Sequence, residues 1–396
     1  MRAIGCSHRG IACLVAAAVV VLVPAAAVAG AAESVGTRLT PGQAELRVEL
    51  RGTRPAIVAQ RLEFEKGGLR VVSGNATALL LAWDDVRAVT GRPLTDDERA
   101  FLAMAEDLWR ARQRVQRGDL DRAVELFERH AEALRGSTSE TALIVAEGIV
   151  RCRVARDPLR AVLPALEVAR LRRAKITTDR YANLPPVLDE ATLLAPAVGA
   201  ALIGDASGSS DAERLAIARE IDLLLASTTL DGETRRSADL VAAILRRTPL
   251  PAVKREEGGA GLLAAIMELD RIRPDETPEA KVRVRSAVVA SAKGLAPWAT
   301  AWARFAVGRS LVAEAALPER EQGVLALLAI PAEAGSVVAS DGEGTVGAQA
   351  PLSIVRAALE LAASTLRSLG DGESAAIVER ELAAHGGGTR AKGTRP

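Results

Sequence analysis

Histidine, cysteine and aromatic side chains are scarce in this 396-residue chain, which has three histidines, three cysteines and an aromatic fraction of 2%. Each shortage narrows the function. Only His130 and His385 lie beyond the first ten residues, and they are far apart in sequence, so a histidine metal site or a Ser-His-Asp triad is poorly supplied. Cys6 and Cys13 fall in the leader described below, which leaves Cys152 alone and no internal disulfide to form. Cys152 sits among Ile149 and Val154 in a helical pattern and reads as a small core residue. The few aromatics do not interleave with cations as a base-stacking platform requires. The near-neutral net charge of +1 gives no global attraction to nucleic acid either. There is no Gly-x-Ser-x-Gly elbow, no phosphate loop ending in Gly-Lys-Ser/Thr, and no strand, Gly-rich turn and helix of a dinucleotide fingerprint. No cofactor and no metal is expected.

Met1 to Ala29 reads as a secretory signal. Arg2 and Arg9 supply a basic start, Ile11 to Val23 an apolar core, and Ala27-Val28-Ala29 a small-residue cleavage site. An uncleaved anchor is the other reading, because Ile11 to Ala32 is nearly long enough to span a bilayer. Cleavage removes two positive charges and takes the net from +1 to −1. Arginine heavily outnumbers lysine and alanine is abundant, the composition of a GC-rich bacterial genome. The chain is expected to be exported to the periplasm or cell envelope.

From Ala44 to Val89 the apolar residues alternate. Leu46, Val48 and Leu50, then Val58, Gln60, Leu62 and Phe64, mark strands, and Lys66-Gly67-Gly68 marks a hairpin turn. Further strands are expected at Leu69 to Val72, at Thr77 to Trp83, and at the end of the region. A small β meander over 44–90 results, similar in order and size of strands to SH3-like or Sm-like barrels. About 45 residues is marginal for independent stability, so the unit should lean on the first helices, with Trp83 as the plug of its core. Asp84 and Asp85 read as turn residues.

Helical periodicity takes over after Thr95-Asp96-Asp97-Glu98, which fits a capping box. Phe101, Leu102, Ala105, Leu108, Trp109, Arg112 and Val115 line one stripe. Leu120, Ala123, Val124, Leu126, Phe127, Ala131 and Leu134 line a second, and Gly118-Asp119 makes the break between them. Gly118, Asp119, Ala123 and Phe127 resemble the turn, the small crossing residue and the aromatic of the tetratricopeptide repeat. Arg110, Ala111, Arg114 and His130 depart from that family's preferences. Gly370-Asp371 and Ala375 echo the same spacing near the other end. The resemblance implies a mainly α protein of stacked antiparallel helix pairs, an α-solenoid whose surface binds a protein or peptide.

Helical regions are expected over 95–203, 210–250 and 262–384, with a disordered tail over 386–396. Ser137 and Glu140 suggest a cap, Asp157-Pro158 a helix start, and Gly335 to Gly347 a Gly-rich loop. The Asp341-Gly342-Glu343-Gly344 stretch lacks the ligand spacing of a calcium loop. Arg151, Arg153, Arg172 and Arg173 belong to the most basic region, readable as a patch for an anionic partner or as a solvated helix face. Trp298, Trp302 and Phe305 follow at i, i+4 and i+7, readable as a recognition surface for sugar rings or peptide side chains or as a core stripe. The functional expectation is a non-enzymatic scaffold of the bacterial cell envelope with an unidentified protein or peptide partner. It touches no nucleic acid, and touches membrane only through the leader. The alternative is an envelope enzyme acting on glycan or peptide through paired, buried carboxylates.

Overall fold

Short strands alternating inward and outward open the fold, as the residue pattern requires. The computed structural model describes residues 45–74, 78–154, 156–204, 210–227, 230–248, 258–340 and 351–385. The expected leader, tail and most of the Gly-rich loop lie outside them. Six strands, β1 (Leu46–Leu50), β2 (Ile57–Ala59), β3 (Arg61–Glu65), β4 (Gly68–Val72), β5 (Leu79–Leu81) and β6 (Val86–Thr90), form two three-stranded sheets. The orders are β2-β1-β6 and β3-β4-β5, with every pair antiparallel. This is not one continuous meander. At Gln60, whose N–H donates to the Val72 carbonyl at 2.8 Å, the chain crosses from one sheet to the other. The inward face changes parity there. Ile57 and Ala59 point to the core before the crossing, Leu62 and Phe64 after it, and Val58 is exposed.

Trp83, in a 3₁₀ turn before β6, is completely buried. Its ring stacks on Phe101 with centroids 5.2 Å apart and tilts against Phe64 at 5.8 Å. The indole N–H donates to the Glu65 carbonyl at 2.9 Å, and the backbone N–H to Thr141 Oγ1 at 3.1 Å. One side chain therefore joins the β3-β4-β5 sheet to α1 and α3, which helps so small a β unit to obtain a core.

Thirteen helices follow among the described residues. They are α1 (Asp96–Gln116), α2 (Leu120–Leu134), α3 (Glu140–Arg153), α4 (Val162–Arg173), α5 (Gly199–Ile203), α6 (Asp211–Ser227), α7 (Gly232–Arg246), α8 (Gly258–Asp270), α9 (Pro278–Ser291), α10 (Pro297–Val312), α11 (Leu317–Ser340), α12 (Leu352–Ser368) and α13 (Gly372–His385). They stack as neighbouring antiparallel pairs, and one buried apolar cluster runs from Val48 to Val378. The capping box at Thr95 and Glu98 is formed, with Thr95 Oγ1 accepting from the Glu98 N–H at 3.2 Å and the Glu98 carboxylate accepting from the Thr95 N–H at 2.9 Å.

The break at Gly118 is a left-handed cap with φ of 76°. The Gly118 N–H donates to the Val115 carbonyl and the Asp119 N–H to the Arg114 carbonyl, closing the α1 terminus. Gly370, at φ 83°, repeats this with the Arg367 and Leu366 carbonyls. Ala123 and Ala375 are both buried one turn into the following helix. Two local hairpins therefore share a design at opposite ends of the helical region. The same pair of bonds ends α4 at Lys175 and α7 at Arg247, with φ of 62° and 55° on side chains that pay a steric cost for that conformation.

Several boundaries move. Ser139, rather than Ser137, caps α3 by accepting from the Ala142 N–H, while Ser137 donates to the Ser139 hydroxyl. Asp157 accepts from the Arg160 N–H in a turn, and α4 begins only at Val162. The α11 helix runs through Pro331 to Ser340, absorbing the start of the expected Gly-rich loop.

Candidate functional site

The basic region resolves into internal ion pairs. Glu147 of α3 is buried and accepts from Arg151 at 2.6 Å and Arg172 at 3.2 Å. Arg151 also donates to the Pro185 carbonyl and lies 4.9 Å over the Tyr181 ring. Arg153 pairs with Glu128 at 2.5 Å, and Arg173 with Asp231 at 3.1 Å. These four guanidinium groups bind helices to one another, which removes the basis for reading them as an open cationic face. The aromatic stripe is likewise internal. Trp298, Trp302 and Phe305 are buried on α10, which packs against α5, α8, α9, α11 and α12. Trp298 and Trp302 meet edge to face at 5.0 Å, and the Trp302 indole N–H donates to the Pro196 carbonyl at 2.9 Å. Gly199 of α5 lies so close to that indole that it has no room for a Cβ.

Asp84 and Asp85 lie in a turn, as expected, and are buried where the β unit meets the helices. Asp84 Oδ2 lies 2.9 Å from Arg112 Nε of α1 and 3.4 Å from Arg180 Nε in the segment after α4. Arg54 holds Asp85 at 2.6 Å, and Arg180 reaches Asp85 as well. Burial pushes the Asp84 carboxyl up to about 6, although Arg180 and Arg112 pull it down. Neither Asp84 oxygen is hydrogen-bonded, because the two guanidinium groups sit near it without aligned N–H vectors. The pair fills the junction with opposed charges and lines neither of the two cavities described next.

The first cavity is an apolar cleft of about 80 Å³ on the helix pairs. Its floor is one face of α3 (Ala142, Val145, Ala146 and Ile149), and its walls come from α2 and α4, including Ala131, Leu134 and Leu163. The floor exists because α3 is apolar almost all round and is sandwiched between its neighbours. The volume is roughly half that of the ~150 Å³ engineered cavity that holds a benzene ring, so it matches one aliphatic side chain. Among the described residues that line it, the charged side chains are Arg135 and Glu167. Glu167 Oε2 accepts from Arg170 at 2.7 Å, while its buried Oε1 has no hydrogen-bond partner. The second cavity is larger and polar, and lies among α5, α6, α7, α8 and α10.

Sequence reading missed Glu167 because a carboxylate three residues before an arginine reads as an ordinary exposed helix pair. Among the described residues, no group of three or more histidine, cysteine, aspartate or glutamate side chains is placed to hold a metal ion. No described helix is long and apolar enough to cross a membrane. No family model, curated protein or solved structure matches this chain.

Proposed function

We propose that this chain is an exported, non-enzymatic interaction protein of the bacterial envelope, in which tetratricopeptide-like helix pairs hold a segment of a protein partner. The observation that carries this reading is the α2–α3–α4 cleft, apolar but for Arg135 and for Glu167, whose Oε1 has no hydrogen-bond partner. An unpaired buried acceptor costs about 1–3 kcal/mol, and a ligand donor removes that cost on binding. The occupant that fits is a peptide presenting an aliphatic side chain beside a lysine, arginine or free amino terminus. The aliphatic group fills the cleft, and the cation satisfies Glu167 Oε1. The cleft opens between the second helices of successive pairs, and the first helix, α3, is its floor.

Panning a displayed library of short random peptides against the purified chain tests this. Enriched sequences are expected to share an aliphatic residue adjacent to a cation. Ala131→Trp, which fills the cleft from its half-buried wall, is expected to abolish binding, and Glu167→Gln to weaken it about tenfold. Enrichment that survives Ala131→Trp with the fold intact refutes the assignment. Export predicts a mature amino terminus at Gly30, readable by mass spectrometry of the envelope fraction. The alternative, a carboxylate enzyme, has Asp84 and Asp85 as a buried acid pair among the described residues.

A further inference from the structure

The apolar cleft among α2, α3 and α4 carries both of its charged side chains at one end. Arg170 of α4 donates to the Ser137 carbonyl at 2.7 Å, which sets this part of α4 beside the turn that follows Arg135. Glu167 stands one turn before Arg170 and is buried, whereas Arg135, the C-cap of α2, is exposed at the rim. We propose that this cleft selects the free amino-terminal residue of its partner, and that this residue has an aliphatic side chain. The proposal rests on the reading of the cleft as the peptide site. It narrows that reading from any cation beside an aliphatic group to the end of a chain.

Backbone satisfaction separates an end from the middle of a chain. An internal segment brings a peptide group into the cleft on each side of its aliphatic residue. Buried N–H and C=O groups need partners. Apart from Glu167 and Arg135, the described side chains that line the cleft are apolar. A terminal residue brings a single peptide group, on the side where the chain leaves. Arg135 at the rim matches that group's carbonyl. A guanidinium carries five N–H donors, and the contact of Arg135 with Glu220 of α6, at 3.5 Å, engages one of them.

Spacing within the ligand favours the same choice. An α-ammonium is only two bonds from Cβ, so cation and aliphatic group enter together a volume that holds one side chain. A lysine ammonium sits at the end of a flexible four-carbon stem, and confining it costs rotamer freedom that an α-ammonium does not have to lose. The acceptor is Glu167 Oε1, which is buried without a hydrogen-bond partner. The terminal torsion of a glutamate is broad, so Oε1 can turn toward an ammonium while Oε2 stays with Arg170. An end that begins with leucine, isoleucine or valine is made by hydrolysis of a longer chain. A peptidase acting on the partner therefore supplies the ligand.

The test is fluorescence anisotropy of three peptides, each labelled at its carboxy terminus, titrated with the purified chain. The first is Leu-Gly-Ser-Gly-Ser-Gly with a free amino terminus, the second is its acetylated form, and the third is acetyl-Gly-Lys-Leu-Gly-Ser-Gly. Near neutral pH the first is expected to bind about tenfold more tightly than either of the others. Its affinity should fall as pH rises through about 8, where an α-amino group deprotonates, while that of the third stays level because lysine deprotonates only near ~10.4. Glu167→Gln should bring the first peptide down to the level of the second, and Arg135→Gln should weaken it about fivefold. If Glu167→Gln does not fold, the acetylation and pH comparisons on the unaltered chain decide. Equal binding of the first and second peptides, or a third that matches the first, overturns the selection of a chain end and leaves the peptide reading standing. Failure of all three to bind overturns both.

Discussion

Gly148, in the middle of α3, provides the most direct test of how the first helix pairs cross. A Cβ at that position would lie 2.5 Å from two ring atoms of Phe127 on α2, and Phe127 is completely buried with nowhere to retreat. Gly148→Ala therefore sets two effects of opposite sign against each other. Alanine is better than glycine inside a helix by about 0.8–1.0 kcal/mol. Overpacking a closed core typically costs about 1–3 kcal/mol, and a contact this short belongs toward the upper end. The net expectation is destabilisation by roughly 1–2 kcal/mol.

The decisive measurement is a double-mutant cycle with Phe127→Leu. Shortening Phe127 removes the ring atoms that block Cβ, at a cost on the order of 1–2 kcal/mol in lost burial. In that background Gly148→Ala should reverse sign and stabilise by about 1 kcal/mol, since only the helix propensity remains. The coupling energy is then roughly 2–3 kcal/mol, well above the ~0.5 kcal/mol scatter of independent sites. Urea unfolding of the four proteins, followed by far-ultraviolet circular dichroism, measures it. Additivity of the two substitutions would mean that α2 and α3 do not cross with the Phe127 ring over Gly148.

Two further outcomes follow from the caps and the buried acid. Lys175→Gly, at a left-handed position closed by the Arg172 and Leu171 carbonyls, should stabilise the chain by about 0.5–1 kcal/mol in the same urea assay. Asp84, held at about 6 in the folded chain against 3.8 for an unburied aspartate, contributes stability that is complete below pH 3.8 and is lost as pH rises through about 6. Its deprotonation costs about 3 kcal/mol, from two pKa units at 1.36 kcal/mol each. Glu98 and Asp231, both lowered to about 2, act in the opposite sense, but only below about pH 4.5. Between pH 5 and 7 the unfolding free energy should therefore fall, and Asp84→Asn should flatten that slope. An unchanged slope in Asp84→Asn refutes the assignment.

Local rules made much of the fold legible. Thr95 and Glu98 could be read as a cap because the bonds involved span three residues, and Gly118 and Gly370 could be read because only glycine adopts their φ without cost. Ser137 was misassigned as the cap of α3 because it and Ser139 are chemically equivalent from sequence, and the backbone geometry alone selects between them. The parity change at Gln60 was invisible because an alternating pattern shows which residues share a face, and not where a strand leaves one sheet for another. Both cavities were hidden for a related reason. Glu167 joins the α3 face in one cavity, and Arg271 joins Arg309 in the lining of the other, only because separate helices pack together, so no spacing along the chain marks them.

The acid pair bears on the choice between binding and catalysis. A general acid or base must come within hydrogen-bond reach of a substrate proton, directly or through one water. Asp84 has the shifted carboxyl such a role needs, but its oxygens are shielded from solvent and face Arg112 and Arg180. Arg180 also approaches Glu140 of α3 and pairs with Asp85, while the neighbouring Tyr181 hydroxyl donates to the Ile144 carbonyl. The segment carrying them is thus fixed to α3 on one side and to the β unit on the other. A carboxylate placed this way gains its shift from being enclosed, and it lines neither of the two cavities. Its physical work is to hold the β unit against the first helix pairs. That steadies the α3 floor on which the proposed peptide cleft depends, and it supports reading the perturbed acid as part of a binding scaffold's frame.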